Sequence, residues 1–466
     1  MEMYLIKTDG PFPYWSGNID ALVTEDHFDE ALGIIESKDY IRLPWLDEPY
    51  KVILKKFRAG NIVISLHLHS RVFWNSTYLR DRDVMKESKE VGERDRIRVM
   101  GDGPLAAITL AHAFVENSSI RAIDLLMVGR ALRDRRAWKT VVDVAAVEGW
   151  SRELRLSSAA FVKANERMTK IMGEDVFKLK DKMPIPSDSD RLNRFFVSRI
   201  GGGGSLPMTL PRIVTKGFSV KHTLFSPGTE NLQNSRGGIS AASMMVKNFV
   251  RRKLGGDLVR GKSVAISGPD GSGKTTIADM LGSALRDIGV PSDIYWSRYS
   301  VAGRMIKGSV EGFTGRTNED TKRQRRRLPF ESRIKLGAYA IQLSMKSAGA
   351  KFLRKNIIFD RHFLDSQVDY ILDSGRSDDP ISSIGFGLPP KPDLHIVLLS
   401  NPKILAERSR EGLDLSIKKA AVYEEIIAKR PKARILRIDT AKGTGGIIDD
   451  LIPALVNNFS QRGRHE

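Results

Sequence analysis

Midway along the chain, the apolar run Ser263-Val264-Ala265-Ile266 enters Gly268-Pro269-Asp270-Gly271-Ser272-Gly273-Lys274-Thr275-Thr276, and the helix-like Ile277-Ala278-Asp279-Met280-Leu281 leaves it. Strand, glycine-rich loop and helix start stand in that order, with the G-x-x-x-x-G-K-[ST] spacing complete. The residue types follow from the chemistry. Gly268, Gly271 and Gly273 let backbone N–H groups turn inward around a phosphate chain, with Asp270 and Ser272 between them. The helix N-terminus adds its positive end to the same anion. Lys274 reaches the β- and γ-phosphates, Thr275 supplies a hydroxyl for Mg²⁺, and Thr276 is taken with them as nucleotide-binding. The motif implies a nucleoside triphosphate ligand.

At 466 residues the chain exceeds one ordinary core, so more than one domain is expected. Residues 1–175 alternate strand-like pieces (Met3–Lys7, Ile19–Val23, Tyr50–Phe57, Asn61–His67) with helix-like ones (His27–Ser37, Pro104–Glu116, Ile123–Arg133). Helical periodicity continues through Trp138–Glu148 and Glu153–Met172, giving an α+β domain with a helical extension. Residues 176–260 carry Pro184, Pro186, Gly201–Gly204, Pro207, Pro211, Pro227 and Gly237-Gly238, which reads as a linker or irregular region. From 261 to 466 the pattern is βαβα. Strands are expected near Asp293–Trp296, Asn356–Asp360, Leu394–Leu399 and Ala433–Ile438, with a helix around Arg333–Ser347. Alternation of this kind predicts an α/β fold: a parallel sheet with flanking helices and ligands at the strand C-termini.

Two features near that sheet point to phosphoryl transfer. Ile357-Ile358-Phe359 ends in Asp360-Arg361-His362, placing a carboxylate for Mg²⁺ and a guanidinium for an acceptor phosphate. Pro392–Leu399 then runs into Asn401-Pro402 and a helix ending in Glu407-Arg408-Ser409-Arg410. Arginines beside a γ-phosphate suit a transition state that spreads charge over three oxygens.

These segments resemble the thymidylate kinase family of P-loop nucleoside-monophosphate kinases over about residues 262–460. The resemblance implies ATP and Mg²⁺ as cofactors and a small phosphorylated acceptor, such as the nucleoside monophosphate dTMP. It places Asp270 near the acceptor's sugar hydroxyl and Arg361 on the acceptor phosphate. It also makes Ile438-Asp439-Thr440 the segment passing near the adenine. The loop lacks an arginine after Asp270, so Arg408 and Arg410 would supply the transition-state cation. The segment between Trp296 and Asn356 is longer and more basic than the family pattern, and Arg298 and Arg333 are its candidate acceptor contacts. A sugar phosphate of envelope polysaccharide synthesis would suit the same electrostatics.

The first 175 residues resemble nucleotidyltransferase-like proteins, whose core strand carries two carboxylates one residue apart and whose neighbouring strand carries a third. Here Asn18 and Ser65 stand at two of those positions, and Asp20 alone remains. The resemblance therefore implies a fold without the transferase activity. His67 and His69 share one face of a strand. They could hold a metal as a pair, but without a third ligand nearby a polar strand face is the expected reading.

Composition limits the alternatives. The net charge is +19, densest at Lys322-Arg323-Gln324-Arg325-Arg326-Arg327 with Arg316 upstream. Such a cluster is read as a solvated face, a funnel for substrate phosphates or a polyanion-binding patch. A nucleotide-gated regulator that binds nucleic acid is the competing class. The chain has no cysteine, which excludes disulfides and thiolate metal sites. With no signal-peptide pattern and no apolar run of bilayer length, a cytoplasmic protein is expected. A homodimer is left open.

Overall fold

The computed structural model describes residues 2–6, 17–48, 50–73, 77–79, 83–84, 87–90, 97–173, 175, 179, 183, 191–200, 206–225, 261–296, 329–374, 391–409, 412–429 and 435–461. The chain divides into two compact units, Met1–Lys56 with Ile64–Asp257, and Phe57–Val63 with Leu258–Glu466.

The first unit is built on strands β1 (Met3–Ile6), β2 (Ile19–Leu22), β3 (Tyr40–Arg42), β4 (Lys51–Arg58) and β5 (Asn61–His69), apart from Phe57–Val63 at the turn between the last two. The short pieces β6 (Val72–Phe73), β7 (Thr77–Leu79), β8 (Lys89–Glu90) and β9 (Ile97–Val99) follow. The main sheet runs β3-β4-β5-β2-β1-β9-β8, and β6 pairs with β7 separately. β2 lies antiparallel to β1 and parallel to β5. On one face, helix α1 (Phe28–Glu36) buries Ala31, Leu32 and Ile35 with Ala21, Val23, Leu54 and Leu68. A second core gathers Tyr4, Ile6 and Leu22 with helices α2 (Asp102–Ala111), α3 (Ala122–Ala131), α4 (Arg135–Val147) and α5 (Ser151–Met172). Asp134 caps α4 by accepting from Arg136 N–H, and Gly173 ends α5 in the left-handed conformation.

The region read as linker departs from that expectation wherever it is described. It holds α6 (Arg191–Arg199), the short strand β11 (Met208–Thr209), which pairs with β10 (Ser119–Ile120), and α7 (Arg212–Phe225). Phe196, Ile200, Met208, Leu210, Val214 and Phe218 are buried in the larger core. The prolines and glycines punctuate this segment, but apolar side chains between them still find a core to fill.

The second unit is a five-stranded parallel sheet of β12 (Ser263–Ser267), β13 (Ser292–Trp296), β14 (Asn356–Asp360), β15 (Leu394–Leu399) and β16 (Ile435–Asp439). Its order is β13-β14-β12-β15-β16. The chain therefore builds first to one side of β12 and then to the other. Strands β12, β14 and β15 are buried along their whole length, as continuous apolar runs in a sheet covered on both faces require. Helices α8 (Lys274–Asp287), α9 (Pro329–Phe352), α10 (Phe363–Ser374), α11 (Pro402–Arg408), α12 (Leu413–Ala428) and α13 (Gly443–Gln461) complete the unit. The expected strands and the helix of residues 333–347 are present, the helix extending further at both ends. Asn401 caps α11 through Lys403 N–H, with Pro402 in the first turn. Among the described residues, no helix is long and apolar enough to cross a membrane.

Candidate active site

The switch in strand order at β12 leaves a crevice beyond its carboxyl end, and the loop 268–273 fills that position. Two of its glycines are required by close approach. A Cβ at Gly268, whose φ is 152°, would lie 2.3 Å from Leu398 O, and one at Gly271, at φ 82°, would lie 2.8 Å from Leu405 O. The loop is thus pressed against the ends of β15 and α11, where only glycine backbone fits. The built Cβ of Gly271 also comes 3.2 Å from Arg408 Cβ. That contact sets the exposed Arg408 beside the loop, while Arg410 lies outside the described residues.

Lys274 opens α8 and is 5% exposed. Its Nζ donates to Gly268 O at 2.6 Å and Pro269 O at 2.8 Å, and stands 3.5 Å from an Asp270 oxygen. Burial holds its ammonium below the usual lysine value, with Arg361 adding to the effect and Asp365, Asp270 and Asp360 opposing it. Thr275 Oγ1 donates to Asp360 Oδ2 at 2.7 Å, so the expected pair at the loop and the end of β14 is in contact. Asp360 Oδ1 is buried with no hydrogen-bond partner. Burial raises the Asp360 pKa, against the pull of Thr275, Arg361 and Lys274. A hydroxyl and an unpartnered carboxylate oxygen side by side form a hard-oxygen donor set that fits Mg²⁺. Thr276, the next residue, is exposed. Ser272 is buried, and its Oγ is also without a partner.

Arg361 and Asp270 meet directly. The guanidinium donates to Asp270 Oδ1 at 2.7 Å, and Lys419 on α12 approaches the other Asp270 oxygen at 3.6 Å. Burial works to raise the Asp270 pKa, but Lys274, Arg361 and Lys419 together hold the carboxyl far below the usual range. Arg361 has φ 77°, a conformation that costs a non-glycine residue about 1–3 kcal/mol. Its N–H bond to Ile266 O at 3.1 Å and its pairing with Asp270 hold it there. Sequence reading expected Arg361 to face an acceptor; here it faces an acid of the loop.

Two contributors were not anticipated. Asp365 accepts from Gly268 N–H at 3.2 Å, from His362 N–H at 2.9 Å and from Tyr423 O–H at 2.9 Å, tying the loop to α10 and α12. An acid three residues after His362, reaching back to that residue's N–H, is half of a capping box, and this spacing was visible in the sequence. Lys419 has no such signal, since its role arises from packing. The expected acceptor contacts Arg298 and Arg333, and the basic cluster 322–327, lie outside the residues whose side chains are described.

No family model and no curated protein matches the chain. Solved deoxynucleoside and thymidylate kinases match part of the chain at low identity. Thymidylate kinase from Candida albicans is 20% identical with a TM-score of 0.32, covering 43% of this chain and 94% of that one. Deoxyadenosine kinase from M. mycoides is 17% identical with a TM-score of 0.31, covering 41% and 98%. Thymidylate kinase from Ehrlichia chaffeensis is 14% identical with a TM-score of 0.30, covering 42% and 97%. What the site can do is therefore read from its own residues.

Proposed function

We propose that the second unit transfers the γ-phosphoryl group of ATP to a small phosphorylated acceptor, with a nucleoside monophosphate such as dTMP as the acceptor class. The reading is carried by one observation. A buried lysine, a loop hydroxyl and an unpartnered strand-end carboxylate oxygen converge on a glycine loop at the strand switch point. Phosphoryl transfer asks the protein mainly for positioning and charge, and these groups are suited to supplying both. Lys274 would hold the β- and γ-phosphates. Thr275 and Asp360 would hold Mg²⁺, which neutralises developing charge when bound. Arg408 would add a cation beside the loop, with Arg410 next in sequence. Arg361 would exchange its Asp270 partner for the acceptor phosphate, and Asp270 would then be released toward the acceptor's hydroxyls.

The first unit is read as a nucleotidyltransferase-like fold without that activity, because Asn18 and Ser65 are neutral where carboxylates would be needed. The deciding experiment is a screen of nucleoside monophosphates and sugar phosphates for ADP release that requires the acceptor. ATP binding without acceptor-dependent turnover, together with salt-sensitive binding of DNA or RNA, would instead favour the nucleotide-gated regulator.

A further inference from the structure

The parallel pairing of β2 with β5 sets Asp20 opposite His67. His69, two residues further along β5, projects from the same face. His69 Nε2 lies 3.0 Å from Asp20 Oδ1, and His67 Nδ1 lies 3.3 Å from the same oxygen. One ligand atom from each of the three side chains falls within 4.8 Å of the others. This corrects the expectation that the two histidines lack a third ligand: Asp20 is forty-nine positions from His69, and only the sheet brings them together.

We infer that Asp20, His67 and His69 form a binding site for a divalent first-row transition ion of the zinc type. Four donors around zinc at about 2.0–2.1 Å stand roughly 3.3 Å apart, and the two Asp20–histidine separations of 3.3 and 3.0 Å lie at or just under that spacing. Two imidazoles with one carboxylate are a borderline donor set. They suit zinc, iron, copper or nickel and are a poor match for Mg²⁺, which takes oxygen. The neutral Asn18, just before β2, and Ser65, on β5, stand two residues from Asp20 and His67 and add no carboxylate that would favour a hard ion. The surroundings are largely desolvated: the side chains of His69, Asp20 and His67 are 6%, 12% and 18% exposed. An ion there would meet little competition from water, and the carboxylate would offset part of its charge. Three protein ligands leave one position for a water or a bound ligand, the pattern of an open zinc site. The site belongs to the first unit and stands apart from the kinase reading.

The test uses the full chain without a histidine tag, stripped with EDTA and titrated with zinc chloride alone. Bound metal is counted by elemental analysis after dialysis, and affinity is measured against a chromophoric chelator. One equivalent of zinc is expected, unaffected by millimolar Mg²⁺. The bound ion should raise the thermal midpoint, because it binds the folded state selectively. Cobalt in place of zinc should give the visible absorption of a four-coordinate ion. His67→Ala, at the most exposed ligand, and Asp20→Asn, which keeps the side chain's size, should each weaken zinc by at least about 100-fold. The inference is overturned if the wild-type chain takes up no zinc and gains no thermal stability, leaving a hydrogen-bonded Asp–His cluster. Equal stoichiometry and affinity in wild type and a folded His67→Ala would overturn it as well, by placing the zinc elsewhere.

Discussion

Lys274→Met removes the ammonium at the head of α8 while keeping an unbranched apolar chain in its place, and so separates charge from packing. The lysine donates to Gly268 O at 2.6 Å and Pro269 O at 2.8 Å, and bonds to a charged donor contribute about 1.5–3 kcal/mol each. Their sum is about 3–6 kcal/mol. Against it stands the cost of keeping a lysine charged at 5% exposure, which is several kcal/mol. Its pKa is lowered chiefly by burial, so the bonds and neighbouring carboxylates offset only part of this cost. The two terms oppose each other, so stability should change by no more than about 3 kcal/mol in either direction. Turnover has no such compensation. Removing one preorganised electrostatic donor costs about 2.7–4 kcal/mol in the transition state, or about 10²–10³ in rate. Acceptor-dependent ADP release and thermal denaturation of the same preparation measure the two effects. Near-normal turnover in a folded Lys274→Met protein would refute the kinase reading.

Three further outcomes are expected. Arg361→Ala should weaken acceptor binding by about 2–4 kcal/mol and leave ATP affinity nearly unchanged in calorimetric titrations; equal losses for both would move Arg361 to the donor side. Asp270 has its pKa lowered in the folded chain, so its charge stabilises above its unfolded value of about 4, and that contribution is lost as pH falls further. Denaturant unfolding should therefore show wild type more stable than Asp270→Asn at neutral pH, with the gap narrowing below about pH 4; a gap constant with pH would refute the pairing. Truncation after residue 175 removes Phe196, Ile200, Met208, Leu210, Val214 and Phe218 from the first unit's core. At about 1.5–3 kcal/mol per buried side chain, the loss is on the order of 10 kcal/mol, comparable to a whole domain's stability. The fragment should be proteolysed rapidly and should lack a cooperative unfolding transition.

The second unit was the more legible half, and the reason is physical. Its strands are buried on both faces, so they appear in sequence as unbroken apolar runs, and its loop is pinned by glycines that nothing larger can replace at Gly268 and Gly271. The Thr275–Asp360 contact was readable because both residues sit at fixed offsets from such runs. The bonds of Asp365 to Gly268 and Tyr423, the approach of Lys419 and the turn of Arg361 toward Asp270 were not, although the capping spacing of Asp365 after His362 was. Each depends on how α10 and α12 pack beside the loop, and no local pattern encodes that packing.

The first unit shows the opposite relation between pattern and function. Its strands β1, β2, β4 and β5 were expected while β3, β8 and β9 were not, and the positions where carboxylates would mark nucleotidyl transfer hold neutral residues at Asn18 and Ser65. Adjacency across a parallel pair has no sequence signature, because the two strands meet only after the intervening chain has folded. Once Asp20 stands opposite His67, the donors are judged by their chemistry. One carboxylate is too few for a pair of magnesium ions, while one carboxylate with two imidazoles is enough for a single softer ion. The same substitutions that argue against nucleotidyl transfer thus leave a donor set with a different preference. Whether this unit holds zinc turns on three side chains, two of which carried no weight until the sheet joined them to the third.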